Sequence, residues 1–192
     1  MLLHQIPVGN MENFSYILVD EETKQAAVVD PGFEHEKILN KAKEQNLKIT
    51  KILLTHTHFD HITDLGKLME KTKAKVYVHK DESLTVPHEN IKDNDIITLG
   101  KIKIKVLHTP GHSAGGVCFL IDNKLFTGDT LFVNSIGRTD LPESDEKQMF
   151  QSLKKLSKLP DNIEVYPGHD YGNKKSSTIC EEKKENPFMK FG

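Results

Sequence analysis

The chain has 192 residues, a length that favours one compact domain spanning 1–192. With 36% hydrophobic and 28% charged residues and no low-complexity tract, its composition is that of a globular protein and excludes a disordered or fibrous one. A net charge of −2 with lysines scattered among acids gives no footprint for nucleic acid, and no apolar run approaches the roughly 20 residues of a membrane helix.

Leu3 to Pro7, Phe14 to Val19 and Ala26 to Val29 read as short strands, separated by the turn formers Gly9-Asn10 and Asp20-Glu21-Glu22. The start of the chain lacks a basic segment followed by a long apolar one, so no secretory signal is expected and the cytoplasm is the expected location. Asp30-Pro31-Gly32 reads as a turn. Ile38, Leu39 and Ala42 fall at helical spacing and predict an amphipathic helix from Glu34 to Gln45, followed by a buried strand, Ile49 to Leu54. Ile62, Leu65, Leu68 and Met69 mark a second helix ending near Thr72, and Lys75 to His79 is the next strand.

Ile96 to Leu99 and Ile102 to Leu107 flank Gly100-Lys101 as a hairpin, and the alternation of Ile102, Ile104 and Val106 with Lys103 and Lys105 predicts one wet face. Val117 to Ile121 and Leu125 to Thr127 pair around Asp122-Asn123. Glu146 to Leu159 is helical until Pro160 stops it, and Ile163 to Tyr166 is the last strand. Cys118 and Cys180, the latter in a charged helical segment, share no ligand spacing and read as reduced thiols. Two groups of strands, each followed by helices, predict an α/β layered sandwich: two packed mixed sheets with helices on the outer faces.

The chemistry concentrates in Thr55-His56-Thr57-His58-Phe59-Asp60-His61, directly after the strand Ile49 to Leu54. Ligand sites favour the carboxyl ends of strands, and in extended backbone His56 and His58 point to the same side. Imidazole nitrogen and carboxylate oxygen suit zinc, iron or manganese, and the lack of nearby cysteine argues for a catalytic rather than a thiolate-bound structural site.

This segment resembles the HxHxDH signature of the metallo-β-lactamase superfamily, and the other signposts stand in that family's order. They are Asp30 in Val-Val-Asp-Pro-Gly, His112 in Thr-Pro-Gly-His-Ser, Asp129 in Phe-Thr-Gly-Asp-Thr and His169 in Tyr-Pro-Gly-His-Asp. The resemblance covers essentially the whole chain. It implies an αββα sandwich and two divalent metal ions, zinc first among them. His56, His58 and His112 would hold one ion and Asp60, His61 and His169 the other, with Asp129 bridging. His58 stands where flavodiiron relatives carry Glu. Ser135-Ile136-Gly137-Arg138-Thr139-Asp140 and the segment from Ser176 to Phe188 resemble glyoxalase II-like hydrolases and persulfide dioxygenases. The additional C-terminal helical domain of full-length glyoxalase II has no counterpart before Gly192, so the resemblance is to the short, single-domain branch.

The implied activity is hydrolysis of a small-molecule 2-hydroxyacyl thioester by a metal-bound hydroxide, which a metal makes available at neutral pH by lowering the pKa of bound water to about 7. Asp60 and Asp129 are the implied catalytic carboxylates, Asp60 orienting the hydroxide. A thiolate leaving group, with an ordinary thiol pKa of about 8.5, departs without a strong acid. The same residues leave a second reading open: one iron on His56, His112 and Asp129, the two-His-one-carboxylate pattern, as in persulfide dioxygenases. Among 26 basic residues only Arg138 is arginine, which suggests a position that needs a planar, multi-donor cation. Arg138, Tyr171 and Lys174 are the candidate substrate contacts. His4, His35, His79, His88 and His108 match no signature position and read as structural or surface residues.

Overall fold

A computed structural model describes residues 1–191. The chain opens with strands β1 (Leu2–Val8), β2 (Asn13–Val19) and β3 (Gln25–Val29), helix α1 (His35–Glu44), strand β4 (Lys48–Leu53), and helices α2 (Phe59–Ile62) and α3 (Leu65–Thr72). Strands β5 (Lys75–His79) and β6 (Glu89–Ile91) complete a six-stranded sheet in the order β1-β2-β3-β4-β5-β6. Strands β7 (Ile96–Leu99), β8 (Ile102–His108), β9 (Val117–Ile121), β10 (Lys124–Gly128), β11 (Glu164–Pro167) and β12 (Ser177–Thr178) form the second sheet, ordered β12-β11-β10-β9-β8-β7. Helices α4 (Glu146–Leu156) and α5 (Ile179–Glu185) and a 3-10 turn (Pro187–Met189) belong to this half.

Period-two alternation explains the layers. Phe14, Tyr16 and Leu18 of β2 pack between the sheets with Phe119 and Phe126, while Ile17 and Val19 of the same strand face outward onto Ile38 and Leu68 of the helices. In the second sheet Val106, Phe119 and Phe126 face inward, whereas Leu107, Cys118 and Leu125 meet Met149, Leu153 and Leu156 of α4. Each strand thus serves two cores, and the result is the expected αββα stacking. The predicted wet face of β8 is present only in part: Lys103 is exposed, but Lys105 is half-buried and Leu107 on the same side is covered by α4, while Ile104 and Val106 are buried between the sheets.

The predicted helix ending near Thr72 is two helices. The break lies at Asp64, whose N–H donates to Gly32 O (2.8 Å) and whose carboxylate accepts from His35 N (3.0 Å) and Lys67 Nζ (2.8 Å), anchoring this turn to the Gly32–His35 loop. Helix α4 ends at Leu156 rather than Leu159. Strands β6 and β12, of three and two residues, are too short to show an alternation.

The topology gathers the functional segments at one edge. β3 and β4 are parallel, as are β10 and β11, and β8 runs with β10 because both are antiparallel to β9. The segments after the carboxyl ends of β3, β4, β8, β10 and β11, which carry Asp30, Thr55–His61, His112, Asp129 and His169, therefore emerge together. Backbone bonds from Val117 N to Thr55 O (2.9 Å) and from Phe14 N to Gly168 O (2.8 Å) tie the two sheets at that edge.

Candidate metal centre

All seven donor residues of the sequence reading converge. His56, His58 and His112 offer three nitrogens within 4.8 Å of one another, and Asp60, His61 and His169 form a second such group. Asp129 lies between them: Oδ2 is 3.5 Å from His112 Nε2 and 3.3 Å from His169 Nε2, and Oδ1 is 3.3 Å from His61 Nε2. Asp60 Oδ2 stands 3.3 Å from His169 Nε2 and 3.5 Å from His61 Nε2.

Each imidazole is held by its outer nitrogen. Thr55 Oγ1 spends its proton on Asp30 Oδ2 (2.6 Å) and so accepts from His56 Nδ1 (3.1 Å). His61 Nδ1 donates to Asp30 Oδ2 (3.0 Å), His112 Nδ1 to Arg138 O (2.8 Å), His169 Nδ1 to Met11 O (2.8 Å) and His58 Nε2 to Glu143 Oε1 (2.7 Å). In the neutral rings this leaves the inner nitrogens as lone pairs turned toward one another. His112 Nε2 faces His58 Nδ1 at 2.8 Å, His61 Nε2 faces His169 Nε2 at 3.3 Å, and buried His56 Nε2 and Asp129 Oδ1 have no hydrogen-bond partner.

Facing lone pairs repel unless a cation stands between them. Zinc–nitrogen bonds of about 2.0–2.1 Å in a tetrahedron place donors about 3.4 Å apart, close to the spacings observed, so the residues fit metal ions. Fixing the far nitrogen by a carboxylate, carbonyl or hydroxyl is also how metal-binding histidines are oriented.

The electrostatics point the same way. Burial, reinforced by His61, holds the His56 imidazole well below its ordinary pKa, so it is neutral. Burial opposes charge on Asp60 and Asp129, yet the neighbouring imidazoles hold Asp129 well below the usual carboxylate range and, with Asn13, bring Asp60 down to about 2. Burial would lower His169, but the Asp129 and Asp60 carboxylates push it up to about 9, so with no ion bound a proton on its Nε2 takes the cation's place. The cluster demands positive charge.

Asp30 is more than a turn residue. At φ 47° its carboxylate takes Thr55 N (2.8 Å), Thr55 Oγ1 and His61 Nδ1, locking the histidine segment. Asp60 lies in the first turn of α2, whose N-cap is His58. Two glycines let backbone approach the centre: a Cβ on Gly137 would overlap the Asp129 carbonyl, and one on Gly168 would overlap Asp129 Oδ1.

A cavity of about 500 Å³ opens beside the donors, and both Arg138 and Tyr171 line it. Arg138 makes a bidentate pair with Asp140 (Nε–Oδ1 2.7 Å, second contact 2.9 Å), so its guanidinium serves its neighbour while its carbonyl serves His112. Tyr171 stacks on His169 at 4.5 Å. Lys174 is outside this lining and pairs with Glu181 Oε1 at 2.6 Å.

Three contributors carried no sequence signal. Asn13 Nδ2 holds Asp60 Oδ2 at 2.8 Å. Glu143 holds His58. Glu82 accepts from Thr57 N (3.0 Å), Thr57 Oγ1 (2.5 Å), Ser113 Oγ (2.6 Å) and Gly115 N (3.0 Å), stapling the His56–His58 segment to the His112 loop. His79, Asp81 and His108 form a further cluster, but the two rings stack nearly parallel (4.0 Å, 9°), and in-plane lone pairs on parallel rings do not converge on one ion.

Residues 9–89 and 83–169 match the family model described as the metallo-beta-lactamase superfamily. A probable polyketide biosynthesis zinc-dependent hydrolase, BaeB of Bacillus velezensis, is 32% identical over 97% of this chain and 87% of its own length. A hydroxyacylglutathione hydrolase of Pelagibacter ubique is 34% identical over 93% of this chain and 75% of its own. The crystal structure of ETHE1 from Myxococcus xanthus superposes with a TM-score of 0.93 at 35% identity, covering 97% of this chain and 84% of that one. Among the described residues no helix is long and apolar enough to cross a membrane.

Proposed function

The chain belongs to the metallo-beta-lactamase superfamily, and from that premise we propose that it is a two-metal hydrolase of the glyoxalase II type acting on a 2-hydroxyacyl thioester. The observation that carries the reading is the pair of complete donor triads sharing Asp129. His56, His58 and His112 would hold one divalent cation, zinc before iron or manganese, and Asp60, His61 and His169 the other. Bound there, the ions supply Lewis acidity and hydroxide at neutral pH. The hydroxyacylglutathione hydrolases and the zinc-dependent hydrolase among the relatives support the reaction class.

The chain's own groups do the positioning. Asp60, brought down to about 2, is anionic throughout the neutral range and can only accept a hydrogen bond; Asn13 fixes the direction of its Oδ2. That geometry suits orienting an attacking oxygen, not protonating a leaving group. No neutral acid is needed for departure, because a thiolate leaves unaided at a thiol pKa of about 8.5. Among the described lining residues the outer carboxylate, Glu143, is engaged by His58. Phe132 and Tyr171, packed on His169, keep bulk water from that side of the donors.

The test is metal analysis of protein purified without added metal, followed by turnover of S-lactoylglutathione with and without oxygen. Two ions per chain and thiol release that persists anaerobically are expected. One iron per chain with oxygen uptake on glutathione persulfide, and no thioester turnover, would replace this reading with the one-iron dioxygenase on His56, His112 and Asp129.

A further inference from the structure

The cavity beside the donors has a lopsided chemistry. Six of the ten lining residues beyond the donor set are apolar or aromatic: Met11, Phe59, Phe132, Ile136, Leu141 and Tyr171. Seven large hydrophobic side chains are strongly exposed among the described residues, and three of them stand on this one cavity: Met11 (37%), Phe59 (64%) and Tyr171 (51%). Such clustering of apolar surface around a polar centre marks a ligand surface, whereas single exposed hydrophobics carry no meaning.

The wall is also preset. Tyr171 stacks on His169 with rings 15° apart, meets Phe132 edge-on at 5.4 Å, and donates its hydroxyl proton to Met11 O at 3.3 Å. Phe59 is fixed in sequence between the donors His58 and Asp60. An acyl chain on a carbon reacting at these donors meets Phe132 and Tyr171 first, because both rings lie against His169 itself.

The charges complete the picture. Arg138 is the one Lys or Arg among the described lining residues, and the Nε/Nη2 edge of its guanidinium is taken by the Asp140 carboxylate, which offsets its charge. The other charged lining group outside the donor set is the Glu143 carboxylate. A glutathione arm brings two carboxylates and one ammonium, and outside the donor set the described lining meets them with one guanidinium already paired to Asp140 and with the Glu143 carboxylate. A neutral arm loses nothing.

We infer that the cavity selects a thioester with an apolar acyl chain of several carbons on an uncharged thiol arm, in preference to a glutathione thioester. The inference rests on the thioester-hydrolase reading. Burial of successive methylenes along the wall raises kcat/KM roughly two- to fourfold each until the cavity is filled.

The experiment compares acetyl, butyryl, hexanoyl and octanoyl thioesters of N-acetylcysteamine with S-lactoylglutathione on the metal-loaded protein. Alongside, calorimetry measures binding of the unreactive S-methyl and S-octyl thioethers of the same thiol. The expected result is a kcat/KM at least tenfold higher for octanoyl than for acetyl and higher than for S-lactoylglutathione, with tighter binding of the S-octyl thioether. In Phe59→Ser the octanoyl-to-acetyl ratio falls severalfold. A flat chain-length series, or S-lactoylglutathione as the best substrate, overturns the inference and leaves the hydrolase reading standing. If no thioester turns over, the hydrolase reading fails, and equal binding of the two thioethers then overturns the apolar selection as well.

Discussion

His58 turns its Nδ1 toward His112, at 2.8 Å, because its Nε2 donates to Glu143 Oε1 at 2.7 Å; the other four imidazoles of the centre turn Nε2 inward. Glu143 is thus a positioning residue that selects which nitrogen of His58 reaches the donor cluster. Glu143→Ala releases the ring, and loss of such an outer partner typically weakens metal affinity by about 10- to 100-fold. Competition with a fluorescent zinc chelator should show one weakened ion and one unchanged. Glu143→Gln keeps an acceptor oxygen and should recover much of the affinity; equal loss in both variants would mean that charge, not ring orientation, is what Glu143 provides.

Asp30 joins β3 to the histidine segment through three donors on one buried carboxylate, namely Thr55 N, Thr55 Oγ1 and His61 Nδ1. Asp30→Asn tolerates the left-handed backbone at this position but replaces one acceptor oxygen with a donor. A buried donor left without its acceptor costs about 1–3 kcal/mol. For a domain of this size each kcal/mol lowers Tm by about 2–4 °C. Thermal unfolding should therefore show a fall of several degrees, with weaker metal binding at His61. An unchanged melting curve would leave Asp30 as a turn residue only.

Glu82 divides its two oxygens between two loops: Oε2 takes the Thr57 donors and Oε1 takes Ser113 and Gly115. Glu82→Gln keeps one acceptor and can serve one loop; Glu82→Ala serves neither. Affinity for the ion at His56, His58 and His112 should fall in the order wild type, Gln, Ala, and the Ala variant should lose about 1–2 kcal/mol of stability, the half-buried site admitting some water. Identical metal affinity in all three proteins would remove Glu82 from the support of the centre.

The fold was readable where apolar periodicity is the signal. Lys75–His79, Ile96–Leu99 and Val117–Ile121 have the expected bounds because their buried residues alternate or run unbroken. Helix α5, expected only as a charged helical segment around Cys180, buries Ile179 and is further anchored by Glu182, fully buried with its carboxylate on Asn134 N and Asn186 Nδ2, and apolar spacing does not register that polar anchor. The convergence of the donor residues was legible because short motifs recur after strand ends. Their supports were not. Glu82 and Glu143 belong to no motif, and Met11 and Arg138 act on His169 and His112 through backbone carbonyls, which no side-chain pattern encodes.

Asp129 and Asp60 differ in reach, and that difference predicts different metal stoichiometries. Asp60 Oδ2 lies within 3.5 Å of His61 and His169 only, whereas Asp129 lies within 3.5 Å of His61, His112 and His169 and so faces both triads. Asp60→Ala should therefore lose one ion per chain and Asp129→Ala both, since among the described residues the latter removes the one donor carboxylate that offsets the charge of an ion on the three-histidine side. Stability follows occupancy: free metal at about 1,000 times the dissociation constant adds about 4 kcal/mol per site. At about 2–4 °C per kcal/mol, each lost ion lowers Tm by roughly 8–16 °C. Plasma emission spectrometry after desalting, with melting curves with and without a chelator, checks both numbers. Wild type should respond most strongly to the chelator, Asp60→Ala about half as much, and Asp129→Ala scarcely at all. Two ions retained in Asp129→Ala would end its bridging assignment and leave two independent sites.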